Sequence, residues 1–208
     1  ETVESLQHTR WPDWLGSARA AFDRLAETHE KVFIVGFSMG ALVALTVAHE
    51  RGARVAGVVA MGTPLTLGWV DQKVLGLVRH LPFNDLLPFV KKQGGPDVSD
   101  PAIGASMPSY DRTPLPAAAS LLDAQETVLD RVGRLSVPVL VQHGRQDHVA
   151  PVENAGRLYE LLRTPDRHLI TYPQSWHILT LDVEHEMVAR DVVQFVERIT
   201  EQAQEEAP

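Results

Sequence analysis

Apolar residues recur at helical spacing from Trp14 through Leu15, Ala18, Ala21, Phe22, Leu25 and Ala26, and Pro12 stands near the first turn, where its missing N–H is harmless. This spacing predicts a helix over residues 12–29, after a first ten residues that are mostly polar. Lys31 then leads into the unbroken apolar run 32–35, the pattern of a strand covered on both faces of its sheet. After Gly36-Phe37-Ser38-Met39-Gly40 comes a stretch rich in Ala, Leu and Val that stops at Gly52, a helix terminator. Further strands are predicted over 55–60, 137–142 (with Pro138 near its start) and 167–172, and a helix over 152–163. A closing amphipathic helix spans 184–201 with Met187, Val188, Val192, Phe195, Val196 and Ile199 facing inward, followed by a fraying tail.

Strands alternating with helices define an α/β chain built on a mostly parallel sheet. The rhythm breaks between Thr63 and Val137, where Pro64, Pro82, Pro88, Pro96, Pro101, Pro108, Pro114 and Pro116 punctuate short apolar pieces such as 74–81 and 86–90. Such a stretch is too long for an ordinary strand connection. It reads as a mostly helical cap inserted at 64–136 into one domain covering 1–208.

Composition narrows the function. The 208 residues suffice for one core of substantial size, and 27 acidic against 19 basic residues leave a net charge of −8 with no basic stripe for a phosphate backbone, which argues against nucleic-acid binding. No apolar run approaches the roughly 18 residues of a membrane span, and no secretory signal is visible. The absence of Cys removes disulfides, thiolate metal sites and cysteine nucleophiles, and fits a cytoplasmic address. Oligomeric state has no signature here.

Chemistry concentrates at Gly36-x-Ser38-x-Gly40. From the frequencies of Gly and Ser, this pattern would arise by chance roughly 0.04 times in such a chain, and here it lies between a strand and a helix. A sharp turn at that junction strains the serine backbone and lifts the hydroxyl above the sheet, and glycines on both sides keep side chains from striking strand and helix. A serine hydroxyl needs a base to become a nucleophile, and the base needs an orienting acid. His177, in the loop between the last strand and last helix, is the candidate base, with His143, His148 and His185 as competitors. Asp147 follows a buried strand and falls at the same sheet end as Ser38; Asp130 and Asp182 are the alternatives. A metal site formed by His143, Asp147 and His148 is a weaker reading, because the histidines are five apart across a turn and no further ligand is suggested nearby.

Gly-Phe-Ser-Met-Gly at 36–40, His-Gly-Arg-Gln-Asp at 143–147 and Trp-His-Ile-Leu-Thr-Leu-Asp at 176–182 resemble the α/β-hydrolase family in the order Ser, Asp, His. The 30-residue step from Asp147 to His177 and the segment that follows it are similar to the bacterial carboxylesterases and monoacylglycerol lipases with a small helical cap. The resemblance runs from about Trp11 to Ile199. It implies Ser38 as nucleophile, His177 as base and then acid, Asp147 as orienting carboxylate, the Met39 backbone N–H as an oxyanion donor, a structural Asp182, and no cofactor or metal. It implies an ester substrate of short to medium acyl length, monoacylglycerols included, held against cap residues Leu65, Leu67, Trp69, Val74, Leu77, Leu86, Leu87, Phe89 and Val90. Thioester hydrolysis or acyl transfer is the alternative. The family's earlier strands and its His-Gly oxyanion loop have no counterpart before residue 12. An N-terminally truncated hydrolase is therefore expected, with an exposed sheet edge and one oxyanion donor fewer. Losing such a donor is worth about 2.7–4 kcal/mol of transition-state stabilisation, so an inactive fragment is the rival reading.

Overall fold

In the computed structural model, residues 2–67, 73, 75–77, 89–91 and 94–205 are described. Four strands, β1 (Val32–Phe37), β2 (Val55–Met61), β5 (Val139–Gly144) and β6 (Arg167–Tyr172), form a parallel sheet in the order β1-β2-β5-β6. Every residue of β2 and β5 is buried, as their continuous apolar runs require. The outer two strands are mixed, and Val35 on β1 is 53% exposed. Among the described residues β1 pairs with β2 alone.

Successive strand residues face opposite layers. Val58, Ala60, Val139 and Val141 join a core with Trp11, Leu15 and Phe22 of α2 (Trp11–Ala26), Leu42 and Leu45 of α3 (Met39–Arg51), Ala124 and Val128 of α5 (Leu115–Arg131) and Leu158 of α6 (Glu153–Leu161). Val59, Met61 and Leu140 join the opposite core, closed by Val188, Phe195 and Ile199 of α7 (His185–Glu205). At about 1.5–3 kcal/mol for each large apolar side chain taken from water, these two layers are the main stabilising term. Gly57 shows how closely α7 approaches: a Cβ there would lie 3.0 Å from the Phe195 ring and 3.2 Å from the Phe33 ring. α3 is apolar on nearly every side and buried from Ala41 to Ala48 apart from Val43, because the sheet covers one side and α2 and α5 another.

Several boundaries differ from the sequence expectation. The opening residues are not merely polar coil: Thr2 and Ser5 cap each other around α1 (Val3–Leu6), and Val3 is buried. α2 ends at Ala26, and α7 continues to Glu205, past the predicted fraying point. Met187, predicted inward, is 44% exposed, since the buried stripe runs through Val188, Phe195 and Ile199.

The connection between β2 and β5 carries strand as well as helix among its described residues. It contains the antiparallel pair β3 (Phe89–Lys91) and β4 (Arg112–Pro114), with the short helix α4 (Pro101–Ser106), capped by the Asp100 carboxylate, between them in the chain. α5 packs into the core of the body, where the Ser120 hydroxyl accepts the Trp11 N–H at 2.8 Å and Gln125 donates to the Pro64 carbonyl at 2.7 Å. Leu65 is fully buried in that same core rather than facing a substrate cavity, and Leu77 is 66% exposed. Trp69, Val74, Leu86 and Leu87 lie outside the described residues.

Candidate active site

Parallel strands place their C-terminal ends on one side of the sheet, and the loops there carry Ser38 after β1, Asp147 after β5 and His177 after β6. Ser38 has φ +52° and ψ −122°, the one non-glycine residue at positive φ among those described. Its N–H donates to the Met61 carbonyl at 2.8 Å, and its own carbonyl accepts from Ala41 at 2.9 Å. Strand hydrogen bonding on one side and helix hydrogen bonding on the other hold this costly conformation. The turn can be so tight because of Gly36: a Cβ on it would stand 2.2 Å from the Gly40 carbonyl oxygen and 2.8 Å from the Ala41 Cα. The steric expectation does not extend to Gly40, where a Cβ would meet nothing within 4 Å. Met39 begins α3, so its N–H has no partner within the helix and lies at the positive end of the helix dipole.

The three predicted residues meet. His177 Nε2 lies 3.0 Å from Ser38 Oγ, and His177 Nδ1 lies 2.7 Å from Asp147 Oδ2. Because Nδ1 faces a carboxylate it carries the proton, which leaves Nε2 as an acceptor aimed at the hydroxyl. The imidazole is buried, with the Phe37 ring 5.0 Å away between centroids, and Gly62, at φ +52°, passes under its edge.

Asp147 is fully enclosed, and each of its oxygens accepts two hydrogen bonds. Oδ1 takes the N–H groups of Val149 (2.8 Å) and Ala150 (2.7 Å); Oδ2 takes His177 and, at 3.1 Å, Nε2 of His143. Burial alone would raise the Asp147 carboxyl. Hydrogen bonds from His143, His177 and the Ala150 amide together outweigh it and hold the carboxyl well below the usual carboxylate range. The Asp147 carboxylate is therefore ionised at neutral pH, as an orienting acid must be.

Sequence reasoning weighed His143 as a rival base and missed its place beside the acid. Its Nε2 faces both Asp147 and the Ala150 carbonyl (2.9 Å), two acceptors, so that nitrogen bears the hydrogen. Its Nδ1 is buried without a hydrogen-bond partner among the described residues. The available signal was the four-residue step from His143 to Asp147 at the end of a fully buried strand. Gly144 beside it has a separate reason: a Cβ there would strike the Trp176 carbonyl oxygen at 2.2 Å, so the loop carrying His177 can cross the end of β5 only over glycine.

The remaining candidates fall elsewhere. His148 pairs with Asp97 at 2.9 Å, away from Ser38, and His185 Nδ1 lies 2.7 Å from the Asp182 carbonyl. Asp130 is an exposed partner of Arg134. Asp182 is buried and accepts the N–H groups of Trp176, Ser99 and Val183 as well as the Ser99 hydroxyl; these bonds hold its carboxyl below the usual range despite burial. Glu184 takes the Ser175 N–H and hydroxyl. Among the described residues no group of three or more His, Asp and Glu side chains converges as metal ligands would, and no helix is long and apolar enough to cross a membrane. A cavity of about 660 Å³ opens beside His177, lined in part by Met107, Pro108, Val149, Trp176 and Ile178. Among the described residues this apolar wall is made by residues that the sequence did not nominate.

The chain is similar to known hydrolases. The chain is 28% identical over 200 residues to a carboxylesterase of Bacillus subtilis, covering 94% of this chain and 76% of that protein. It is 22% identical to a thermostable monoacylglycerol lipase of a Bacillus species, covering 92% of this chain and 73% of the lipase. A solved metagenome-derived lipolytic enzyme superposes with a TM-score of 0.85 at 24% identity, covering 95% of this chain and 77% of that one, a likeness of fold. The family described as serine aminopeptidase, S33, matches residues 4–184. With that match over most of its length, a parallel sheet and the strained serine turn between β1 and α3, the chain belongs to the S33 family of α/β hydrolases.

Proposed function

We propose that this protein hydrolyses carboxylic esters through an acyl-enzyme on Ser38. The observation that carries the proposal is the continuous hydrogen-bonded line Ser38 Oγ, His177, Asp147, with distances of 3.0 and 2.7 Å. Ser38 Oγ attacks the ester carbonyl carbon while His177 Nε2 takes the hydroxyl proton. The imidazolium so formed is stabilised by the ionised Asp147. The negative oxygen of the tetrahedral intermediate receives the Met39 N–H at the start of α3. Collapse breaks the ester C–O bond, and His177 returns the proton to the departing alcohol. Water then attacks the acyl-enzyme with His177 again as base, releasing the carboxylic acid and restoring Ser38.

The apolar wall of the cavity beside His177 supports short to medium acyl esters, monoacylglycerols among them, with the connection between β2 and β5 supplying Met107 and Pro108 as a cap would. The same acyl-enzyme serves thioesters and acyl transfer, and the family's aminopeptidase description makes amide cleavage a further arm to test. The experiment measures hydrolysis of p-nitrophenyl butyrate and octanoate, a butyryl thioester and aminoacyl p-nitroanilides by the chain and by Ser38→Ala. Ester turnover that falls by about 10³-fold or more in Ser38→Ala is the expected result. Turnover of anilides alone, or ester turnover indifferent to Ser38, overturns the proposal.

A further inference from the structure

The loop that carries His177 has little regular structure of its own, yet its histidine must hold a 3.0 Å contact with a serine on another strand. The reference for its position comes from a residue 80 positions earlier in the chain: Asp97 Oδ2 accepts the His177 backbone N–H at 3.0 Å. The same oxygen accepts the N–H of His148 at 3.0 Å, the residue directly after Asp147. Asp97 Oδ1 meets His148 Nδ1 at 2.9 Å, and the Asp97 carbonyl accepts from Ile178 at 3.0 Å. One carboxylate oxygen thus joins the loop of the acid to the loop of the base. The Asp97 side chain is only 13% exposed, so water is a poor substitute for it. Two residues on, Ser99 is tied to the same loop from the other side through Asp182.

We infer that Asp97 is a positioning residue for the reaction, a carboxylate from the β2–β5 connection that fixes His177 and Asp147 relative to each other. The inference rests on the triad reading above. Its chemistry is geometric: displacing a catalytic group by about 1 Å can cost on the order of 10²-fold in rate. Asp97 borders the cavity beside His177 but touches no reacting atom, so its loss is expected to fall mainly on the chemical step. Asparagine keeps a carbonyl oxygen for the two amides and can turn its NH₂ toward His148 Nδ1, so the geometry survives without the charge.

The test uses the full chain, Asp97→Ala, Asp97→Asn and Ser38→Ala. For each, the rate of Ser38 labelling by a fluorophosphonate is measured per folded molecule, with kcat and KM for p-nitrophenyl butyrate and the thermal midpoint. Asp97→Ala is expected to lower both the labelling rate and kcat by roughly 10- to 100-fold with KM within about twofold. Asp97→Asn is expected to recover most of the loss; if Asp97→Ala does not fold, Asp97→Ser, whose shorter side chain cannot reach both amides, takes its place with the same expected loss. Labelling of the folded alanine or serine variant at the unsubstituted rate overturns the inference, as does a deficit confined to thermal midpoint or to KM, or Asp97→Asn slowed as much as the alanine or serine variant. Ser38→Ala labelled as fast as the unsubstituted chain, or an unsubstituted chain that does not label, overturns the triad reading first and this inference with it.

Discussion

The turn that presents Ser38 and the loop that presents His177 lie 3.0 Å apart at their functional atoms but are held in opposite ways. The serine turn is local. A strand, a four-residue approach of Gly36 to Gly40 and the first turn of α3 define it, and its backbone is tied to the adjacent strand through the Met61 carbonyl. The histidine loop is held by side-chain carboxylates, Asp97 from 80 residues away and Asp182 and Glu184 from within the loop itself, and it crosses β5 over Gly144. A nucleophile under backbone strain has few solutions, and they are compact in sequence. A base held by side-chain acceptors can be anchored from anywhere the chain passes.

The sharpest way to break this comparison is at Gly36. Gly36→Ala places a methyl 2.2 Å from the Gly40 carbonyl oxygen, both partners being backbone, so neither can rotate aside. A loss of about 3 kcal/mol or more in urea unfolding is expected, since overpacking against backbone is at the severe end of its range. Gly40→Ala meets no atom within 4 Å outside its own helix and should stay within about 1 kcal/mol of the parent, the helix preferring alanine to glycine by a similar amount. Equal losses at the two glycines would show that the turn is not set by the single close approach.

This difference explains what could be read from sequence. The α/β class, the parallel strands and the trio Ser38, Asp147 and His177 were legible because each rests on a local pattern: a doubly buried apolar run, a glycine-bracketed serine, an acid and a histidine just past strands. Asp97 was not legible. It follows Pro96 in a stretch without periodicity, and nothing about an exposed-looking Pro-Asp pair announces that it accepts the amides of His148 and His177. His143 was visible but misassigned, since a histidine ending a buried strand reads as packing until Asp147 is seen to curl back to its Nε2. The strand pair β3 and β4 escaped notice because each is three residues long and bounded by prolines, too short for alternation to register.

A smaller effect sharpens the other half of the comparison. Asp182 is buried and satisfies Trp176, Ser99 and Val183, so Asp182→Asn turns one acceptor oxygen into an NH₂ facing donors. Leaving one or two of these donors unpaired is expected to destabilise the fold by about 2 kcal/mol in urea unfolding. A loss under about 0.5 kcal/mol would mean that the loop keeps its shape through backbone contacts such as the Gln146 N–H to the Ser175 carbonyl, and that the carboxylates are incidental.

The smallest expected effect concerns acid, and it touches one of the two regions and not the other. Asp147 and Asp182 both have carboxyls held below the ordinary value in the folded chain. A carboxyl depressed on folding adds stability that is complete above its unfolded value, about 3.9, and is lost as pH falls through and below that point, because the unfolded chain then binds the proton first. Asp23, Glu50 and Asp166 are depressed as well, through Arg51, Arg19 and Arg198, and give every variant a common acid slope. Against that background, unfolding free energy measured from pH 6 down to pH 3 should fall less steeply in Asp147→Asn and in Asp182→Asn than in the parent. Ser38→Ala, altered in the turn that holds no titrating group, should keep the parent slope. If Ser38→Ala flattened the curve as much as the two carboxylate variants, acid sensitivity would belong to the site as a whole, and the division between a turn held by its own backbone and a loop held by side-chain carboxylates would fail.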